Sequence, residues 1–511
     1  RVVNFNVWIF LVVAAFLIAI FVHEQYVSKN KQIWVQSVPL QRKACQILTV
    51  WASFSGFLLS AMVIPLSLDF AASLGQSATA SGLYMGLSLI AGVLGTIIGR
   101  PLISETAWSQ FFVRRLLITI FSFSTLMSLV LACFYNWTAK SNEVSFIWWT
   151  GIVGTCILNS VSSIPMIALT VLWTKATHPG NRTVWSFLGQ CARSAGMTVG
   201  PVVFSLMSRG VIAGGEPVSP RSMMAWVYIY SVGFTLVSLS VCTFLMPTEL
   251  PPVLPPATPT ENEGSASQVS GEARPEELDE PDRQTVYWKM VAHFGERPFT
   301  LAAVEVSTTM MLEVLYGWDA YHCGFCFTVM CPVGIVLAVV TKVMINTGYL
   351  QESSVYFSSM IASVIGCALL FDEGHAGPAT LIAAGTVIYT GAALANSIAD
   401  GWGARAAKEG TSIGQAQFQL LKLLLISLTR FMGDIVGRFL VDFGGRNTYA
   451  GFQLLLCSVG AHTAYRACRP LWAKERQSKE EDEESEGVPW KFPQAPEDSP
   501  NPSEVRSPAP S

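Results

Sequence analysis

Charge is scarce in this sequence. Only 13% of its 511 residues are Asp, Glu, Lys or Arg, against about 25% in soluble domains, too few to clothe a water-exposed surface. The charges also nearly cancel: 32 basic against 35 acidic residues leave a formal net charge of −3. A nucleic-acid binder held by bulk positive charge is therefore excluded. Eleven cysteines lie mostly inside apolar runs without an even framework, which excludes a disulfide-stapled secreted scaffold. Short alternating segments of the kind that build a membrane β-barrel are missing too. There is no phosphate-binding glycine loop and no nucleophile with a base at usable spacing, so an enzyme, a cofactor and a metal site are not expected. The chain opens on Arg1 rather than Met, as expected of a fragment or a processed product.

Apolar length is what the sequence has in excess. Hydrophobic residues make up 51% of the chain and the mean hydropathy is +0.44. Thirteen long apolar runs stand at about 5–22, 47–71, 81–103, 116–135, 146–173, 184–207, 223–246, 298–318, 322–345, 354–372, 379–399, 418–442 and 448–470. Each approaches or exceeds the roughly 20 residues that cross a bilayer. Each is predicted to be a helix, because lipid offers the backbone no hydrogen-bond partner. The expected fold class is an all-α polytopic membrane protein: two pseudo-symmetric six-helix bundles plus one extra N-terminal helix. The expected domains are a leading helix with a basic loop (1–46), a first bundle (47–247), a disordered linker (248–296), a second bundle (297–472) and a disordered acidic tail (473–511). Pro251-Pro252, Pro255-Pro256 and the Glu/Ser/Pro-rich run that follows cannot bury a core.

Lys and Arg set the expected orientation. Loops on the linker side hold sixteen of them, including Arg100, Arg114, Arg115 and Lys342; the opposite loops hold Lys140, Arg209, Arg221 and Arg446. Linker and tail are thus expected in the cytosol, in the plasma membrane or an endomembrane. Asn136-Trp-Thr138 is a glycosylation pattern expected in a loop on the far side.

The two halves share a signature. Arg193-Ser-Ala-Gly196-Met-Thr-Val199-Gly200-Pro201 and Arg430-Phe-Met-Gly433-Asp-Ile-Val436-Gly437-Arg438 repeat Arg, Gly, Val and Gly at the same offsets. Both segments fall in the fifth long helix of their half, as duplication requires. Glycines four apart let helix backbones approach closely, so packing is their expected role.

Around these residues the chain resembles the major facilitator superfamily over roughly 40–472. Gly95-Thr-Ile-Ile-Gly99-Arg100-Pro101-Leu102, followed by Val113-Arg114-Arg115, is similar to that family's loop motif, although the acid that normally precedes the first Arg is missing. Pro179-Gly-Asn-Arg182-Thr resembles its short charged turn, and Gly196, Gly200 and Pro201 its fifth-helix pattern. The second half resembles the branch with vacuolar phosphate exporters and lysosomal relatives. The resemblance implies a transporter working as symporter or antiporter, with substrate bound between the halves near the midplane. Arg100, Gly196, Gly200 and Pro201 would then be structural or gating residues.

Ionisable groups inside apolar runs need a reason, since each costs about 2.5–3.5 kcal/mol in a bilayer even on lenient scales. Arg193, Arg430, Glu305, Glu313, Asp434 and Arg438 are such groups. Arg430, Asp434 and Arg438 stand four apart on one helix face, where they are expected to neutralise one another. Arg193 has no acid nearby on its own helix. Two pseudo-symmetric arginines facing one cavity would suit a small anion through bidentate hydrogen bonds; their alternative is pairing with Glu305 or Glu313. Either carboxyl could instead carry a coupling proton as water access changes. Cys323-Gly-Phe-Cys326 reads as helix surface, without a second ligand pair for a metal. The expected partners are a small-molecule substrate, protons and the lipid bilayer. The rival reading is a transporter-like fold serving as receptor, scaffold or channel.

Overall fold

A chain in lipid must close every backbone hydrogen bond within itself, and helices do so locally. The computed structural model describes residues 38–99, 110–176, 182–212, 219–245, 278–372, 377–407 and 414–486, with Val13, Ala15, Leu17, Ile18 and Pro275 besides. All the regular structure among them is helical. The long helices are α1 (Val38–Ser73), α2 (Ala78–Gly99), α3 (Gln110–Trp137), α4 (Val144–Ala176), α5 (Arg182–Ile212), α6 (Pro220–Phe244), α7 (Glu280–Tyr316), α8 (Ala320–Asn346), α9 (Glu352–Ala368), α10 (Pro378–Ala406) and α11 (Gln415–Glu486). The apolar runs from 47 onward fall on these helices. Of the leading run 5–22 only four residues are described; they are helical, and Val13 is buried against Leu129 and Val232.

Eight stretches are long and apolar enough to cross a bilayer; they lie on α1–α4, α6–α8 and α10. The other three helices differ for visible reasons. α9 has 17 residues, about 26 Å at 1.5 Å per residue. α5 and α11 carry the charges singled out above.

α11 is two arms. At Gly445 the backbone turns to φ 70° and ψ −172°, a region open essentially to glycine alone. The chain folds back there: Gly433 before the break meets Phe299 of α7, and Gly460 after it meets Glu296, one turn away on the same helix.

Helix partners repeat between the halves. In the first, α1 packs on α5 and α2 on α4; in the second, α7 packs on α11 and α8 on α10. Across the seam α2 lies on α11 and α5 on α8, the same exchange seen from either side. Small residues make the closest contacts possible. A Cβ on Gly200 would stand 2.6 Å from the Cβ of Ala61 on α1, and one on Gly433 would stand 2.6 Å from the carbonyl oxygen of Phe299 on α7. Gly196 faces Phe54 and Leu58 of α1, while Gly437 faces Ala303 and Ser307 of α7.

Several expectations need correction. The linker does not reach 296: α7 starts at Glu280, behind Asp279, and buries Val286, Tyr287, Met290, Val291 and Phe294. That apolar stripe has helical spacing, and it escapes a hydropathy reading because Lys289 and His293 interrupt it. The tail does not begin at 473 as irregular chain either, because α11 continues to Glu486 with Leu471 and Glu475 buried. Residues 248–274 and 487–511 lie outside the described ones. Asn136 sits in the last turn of α3 rather than in a loop, and Thr138 is buried with its hydroxyl donating to Phe134 O at 2.8 Å. Cys323 and Cys326 are buried in a core cluster that also takes in Ala61, Ile64 and Met197 of the first half, not on a helix surface.

These contacts predict that Gly433→Leu destabilises the fold by about 1–3 kcal/mol through overpacking. Gly233→Ala, whose Cβ meets nothing within 4 Å, should be neutral. Thermal unfolding in detergent checks both, and equal midpoints for the two variants would contradict the tight α7–α11 approach.

Candidate functional site

The seam between the halves is where charge collects. α5 brings Arg193 and the first arm of α11 brings Arg430 to a single ring, that of Phe57 on α1. The guanidinium carbons stand 5.7 and 5.3 Å from its centroid. Cations at this range are drawn to the negative ring face, worth on the order of 0.5–2 kcal/mol depending on desolvation. Two like charges would not gather there without compensation. Arg430 has it: Nη2 lies 2.5 Å from Oε2 of Glu305 on α7, and the Glu305 side chain is 1% exposed. Among the described residues Arg193 makes no ion pair, and its Nε is buried without a hydrogen-bond partner. The other carboxylate oxygen of Glu305, Oε1, is likewise unpartnered. The pair cancels itself; the acid whose charge reaches Arg193 is Asp400, which also holds Lys422.

Further charges continue along the seam in both directions. Toward the linker end, Lys422 Nζ lies 2.7 Å from Asp400 Oδ1, and Ser186 of the first half donates to Asp400 Oδ2 at 3.1 Å. Toward the opposite end, Arg438 Nη2 donates to Ser67 Oγ of the first half at 3.0 Å, and Thr79 donates to Asp442 at 3.3 Å. Both ends are thus tied across the halves by polar contacts. Glu313 lies three residues from the end of α7 among Asp69, Asp319 and Arg438, with Oε1 buried and unpartnered.

The predicted residues therefore separate. Arg193, Arg430 and Glu305 come together; Glu313 and Arg438 lie nearer the opposite end. Asp434 lies within electrostatic reach of both Arg430 and Arg438, while the direct bonds of those arginines go elsewhere, Arg430 to Glu305 and Arg438 to Ser67, and among the described residues Asp434 makes no ion-pair contact. Residues on one helix face stand side by side, whereas Glu305 on the neighbouring helix can meet the guanidinium end-on. The backbone of Asp434 instead serves as floor for α2, where a Cβ on Gly82 would stand 2.7 Å from its carbonyl oxygen. Pro201 is buried in α5 and, with Pro65 of α1, faces Gly324 of α8. Arg100 lies outside the described residues.

A cavity of about 280 Å³ opens elsewhere, inside the first half, between α1, α2, α3, α4 and α6. Hydroxyls and one amide make its polar lining, among them Ser55, Ser88, Tyr84, Thr155, Asn159 and Tyr228. Tyr228 and Thr155 hydrogen-bond at 2.6 Å, and Tyr84 lies 3.1 Å from Tyr135. Arg193, Glu305 and Arg430 are not on its walls.

Sequence reasoning singled out neither Lys422 nor Asp400 as a site residue. The signal was a lysine five residues into the run 418–442. It also missed Arg297, wholly buried with its Nη2 3.1 Å from Glu296 Oε2. Two far-side arginines counted as loop charge are structural: Arg221 donates to Ser141 O at 2.6 Å, and Arg446 to Leu370 O at 2.6 Å.

Removing one partner of a buried pair strands the other charge, at a cost of about 3–5 kcal/mol. Arg430→Met should lose that much stability, and adding Glu305→Gln should recover a large part. A double-mutant cycle by thermal unfolding measures the coupling; strictly additive effects would mean the two groups do not share a bond.

No protein-family model and no curated protein matches the sequence. Solved structures do match its shape. The human organic anion transporter MFSD10 (TETRAN) superposes with a TM-score of 0.56 at 14% identity, over 84% of this chain and 100% of that one. A bacterial homologue of the iron transporter ferroportin, in an outward-facing state, gives 0.57 at 9% identity over 83% and 98%. The major facilitator superfamily transporter FucP, in an outward conformation, gives 0.50 at 14% identity over 84% and 99%. The duplicated helix pairing, the exchange of helices across the seam and these superpositions together give the chain the fold of the major facilitator superfamily transporters.

Proposed function

We propose that the protein is a secondary transporter that carries a small anion by exposing the seam between its halves to each side in turn. The observation that carries this reading is Arg193: a positive charge inside the seam that shares the Phe57 ring with Arg430 and forms no ion pair among the described residues, the acid within its reach, Asp400, being held by Lys422. An anion with two oxygens is the ligand a guanidinium fork accepts best. Phosphate and carboxylates both meet that description. One of the proteins of the same fold named above is an organic anion transporter.

Proton coupling follows from the pair beside it. While Glu305 is ionised it holds Arg430. A proton arriving on Glu305 removes that hold and leaves Arg430 free to join Arg193 on the anion. Loss of the anion would return Arg430 to Glu305 and release the proton. Glu313, nearer the opposite end, is the second carboxyl through which a proton could pass. Rocking requires the contacts at the two ends to open alternately: Ser186 with Asp400 at the linker end, Ser67 with Arg438 and Thr79 with Asp442 at the other. In this reading the chain crosses the bilayer as two six-helix bundles preceded by the leading helix. Linker and tail lie in the cytosol, as the Lys and Arg distribution favours.

A second reading is a transporter fold that binds or gates without coupled transport. It is favoured by the closed Arg430–Glu305 pair and by a cavity confined to the first half.

Reconstituted protein should accumulate phosphate or a small carboxylate, faster under an inward proton gradient. Arg193→Gln should cut uptake at least tenfold at unchanged protein folding, and Glu305→Gln should abolish the response to the gradient. Uptake assays in proteoliposomes with each variant check this. Wild-type rates equal to empty liposomes for every anion would favour the second reading, and full uptake by Arg193→Gln would remove the anion site.

A further inference from the structure

Two thiols meet inside the second half. Cys367 on α9 and Cys457 on the second arm of α11 have their sulfurs 3.4 Å apart, both wholly buried and both free. A disulfide needs about 2.05 Å, so the remaining closure is roughly an ångström and a half. The two helices are already fastened together nearby: Arg446 donates to Leu370 O at 2.6 Å, and the backbone N–H of Asp372 donates to Asn447 Oδ1 at 2.7 Å.

The surroundings of Cys457 are unusual for a packing cysteine. The buried guanidinium of Arg297 donates from Nη1 to Cys457 Sγ at 3.6 Å and from Nη2 to Met360 Sδ at 3.1 Å. Arg297 also pairs with Glu296 at 3.1 Å, so its charge is shared, but an N–H donor aimed at a sulfur still compensates a thiolate, the species that attacks oxidants. Other cysteines of this chain show the opposite arrangement. Cys323, Cys468 and Cys156 turn their S–H toward backbone carbonyls of Thr309, Ser353 and Leu87, as neutral thiols do.

We propose that Cys367 and Cys457 form a peroxide-oxidisable dithiol, a modification site that fastens α9 to the second arm of α11. The oxidant is hydrogen peroxide, small and uncharged enough to enter an apolar helix bundle. Cys457 sulfur attacks one peroxide oxygen, the O–O bond breaks, and the departing hydroxide takes the thiol proton as water. The resulting sulfenic acid is attacked by Cys367 sulfur; the S–S bond forms, and hydroxide leaves with the Cys367 proton as a second water. Two thiols and one peroxide give one disulfide and two waters. Both sulfurs are oxidised and both peroxide oxygens reduced.

The test uses the full chain in detergent or proteoliposomes, exposed to hydrogen peroxide, then denatured and alkylated with N-ethylmaleimide. Intact mass should show two of the eleven thiols protected, with a Cys367–Cys457 peptide pair that dithiothreitol dissolves. Cys457→Ser should leave Cys367 fully alkylated, and Cys468→Ser should oxidise as wild type does. Arg297→Lys should slow the reaction several-fold if the guanidinium activates Cys457, and the wild-type peptide map stands even if that variant misfolds. Alkylation of all eleven thiols, a crosslink between other cysteines, or oxidation of Cys457 to sulfinic acid without a crosslink would overturn the proposal.

Discussion

A charge surrounded by hydrocarbon has to find its partner within the protein. That requirement organises the seam between the halves more than any apolar contact does. Lys422 with Asp400, Arg430 with Glu305 and Arg438 with Ser67 lie along one line from the linker end to the opposite end. Each joins two different helices, and the contacts of Ser186 and Ser67 reach across the halves. Arg193 departs from the pattern: it has no direct ionic bond among the described residues, only the field of Asp400.

Close approach of backbones is the second constraint. Apolar attraction gives helices no net drive to associate in lipid, so contact comes from shape. The repeated glycines of α5 and α11 provide it against α1 and α7. They also set the position of the charges. Arg193 lies one turn before Gly196 and Arg430 one turn before Gly433, so packing the glycines against α1 and α7 turns both guanidiniums toward Phe57. The same duplication that builds the scaffold therefore delivers a matched pair of arginines. The second half adds Glu305 on α7 for Arg430; Arg193 forms no such bond among the described residues, and the acid within its reach, Asp400, is held by Lys422.

The elements themselves were largely legible. The runs 47–71 to 448–470 announce helices by apolar length alone, and the repeated Arg-x-x-Gly-x-x-Val-Gly announces which helix of each half is equivalent. The ends of α7 and α11 were not legible from hydropathy. There the buried face is a stripe, as in Val286, Tyr287, Met290, Val291 and Phe294, and the polar residues between those positions lower the average. Spacing on one helix places Asp434 within electrostatic reach of both arginines, but it does not say where their direct bonds go. Arg430, Asp434 and Arg438 share a face, yet Arg430 and Arg438 find their bonds on other helices.

Sequence alone determined that this chain is a bundle of apolar helices, duplicated, with a small set of ionisable residues out of place in lipid. Composition and periodicity suffice for that, because burial in hydrocarbon depends on residue type and helical structure on hydrogen bonds a few residues apart. Which charge meets which was decided only by tertiary structure. Glu305 and Arg430 lie 125 residues apart, Ser186 and Asp400 lie 214 apart, and Cys367 and Cys457 lie 90 apart. Contacts at such separations follow from how helices pack, a property of side-chain shape summed over whole faces rather than of any local pattern.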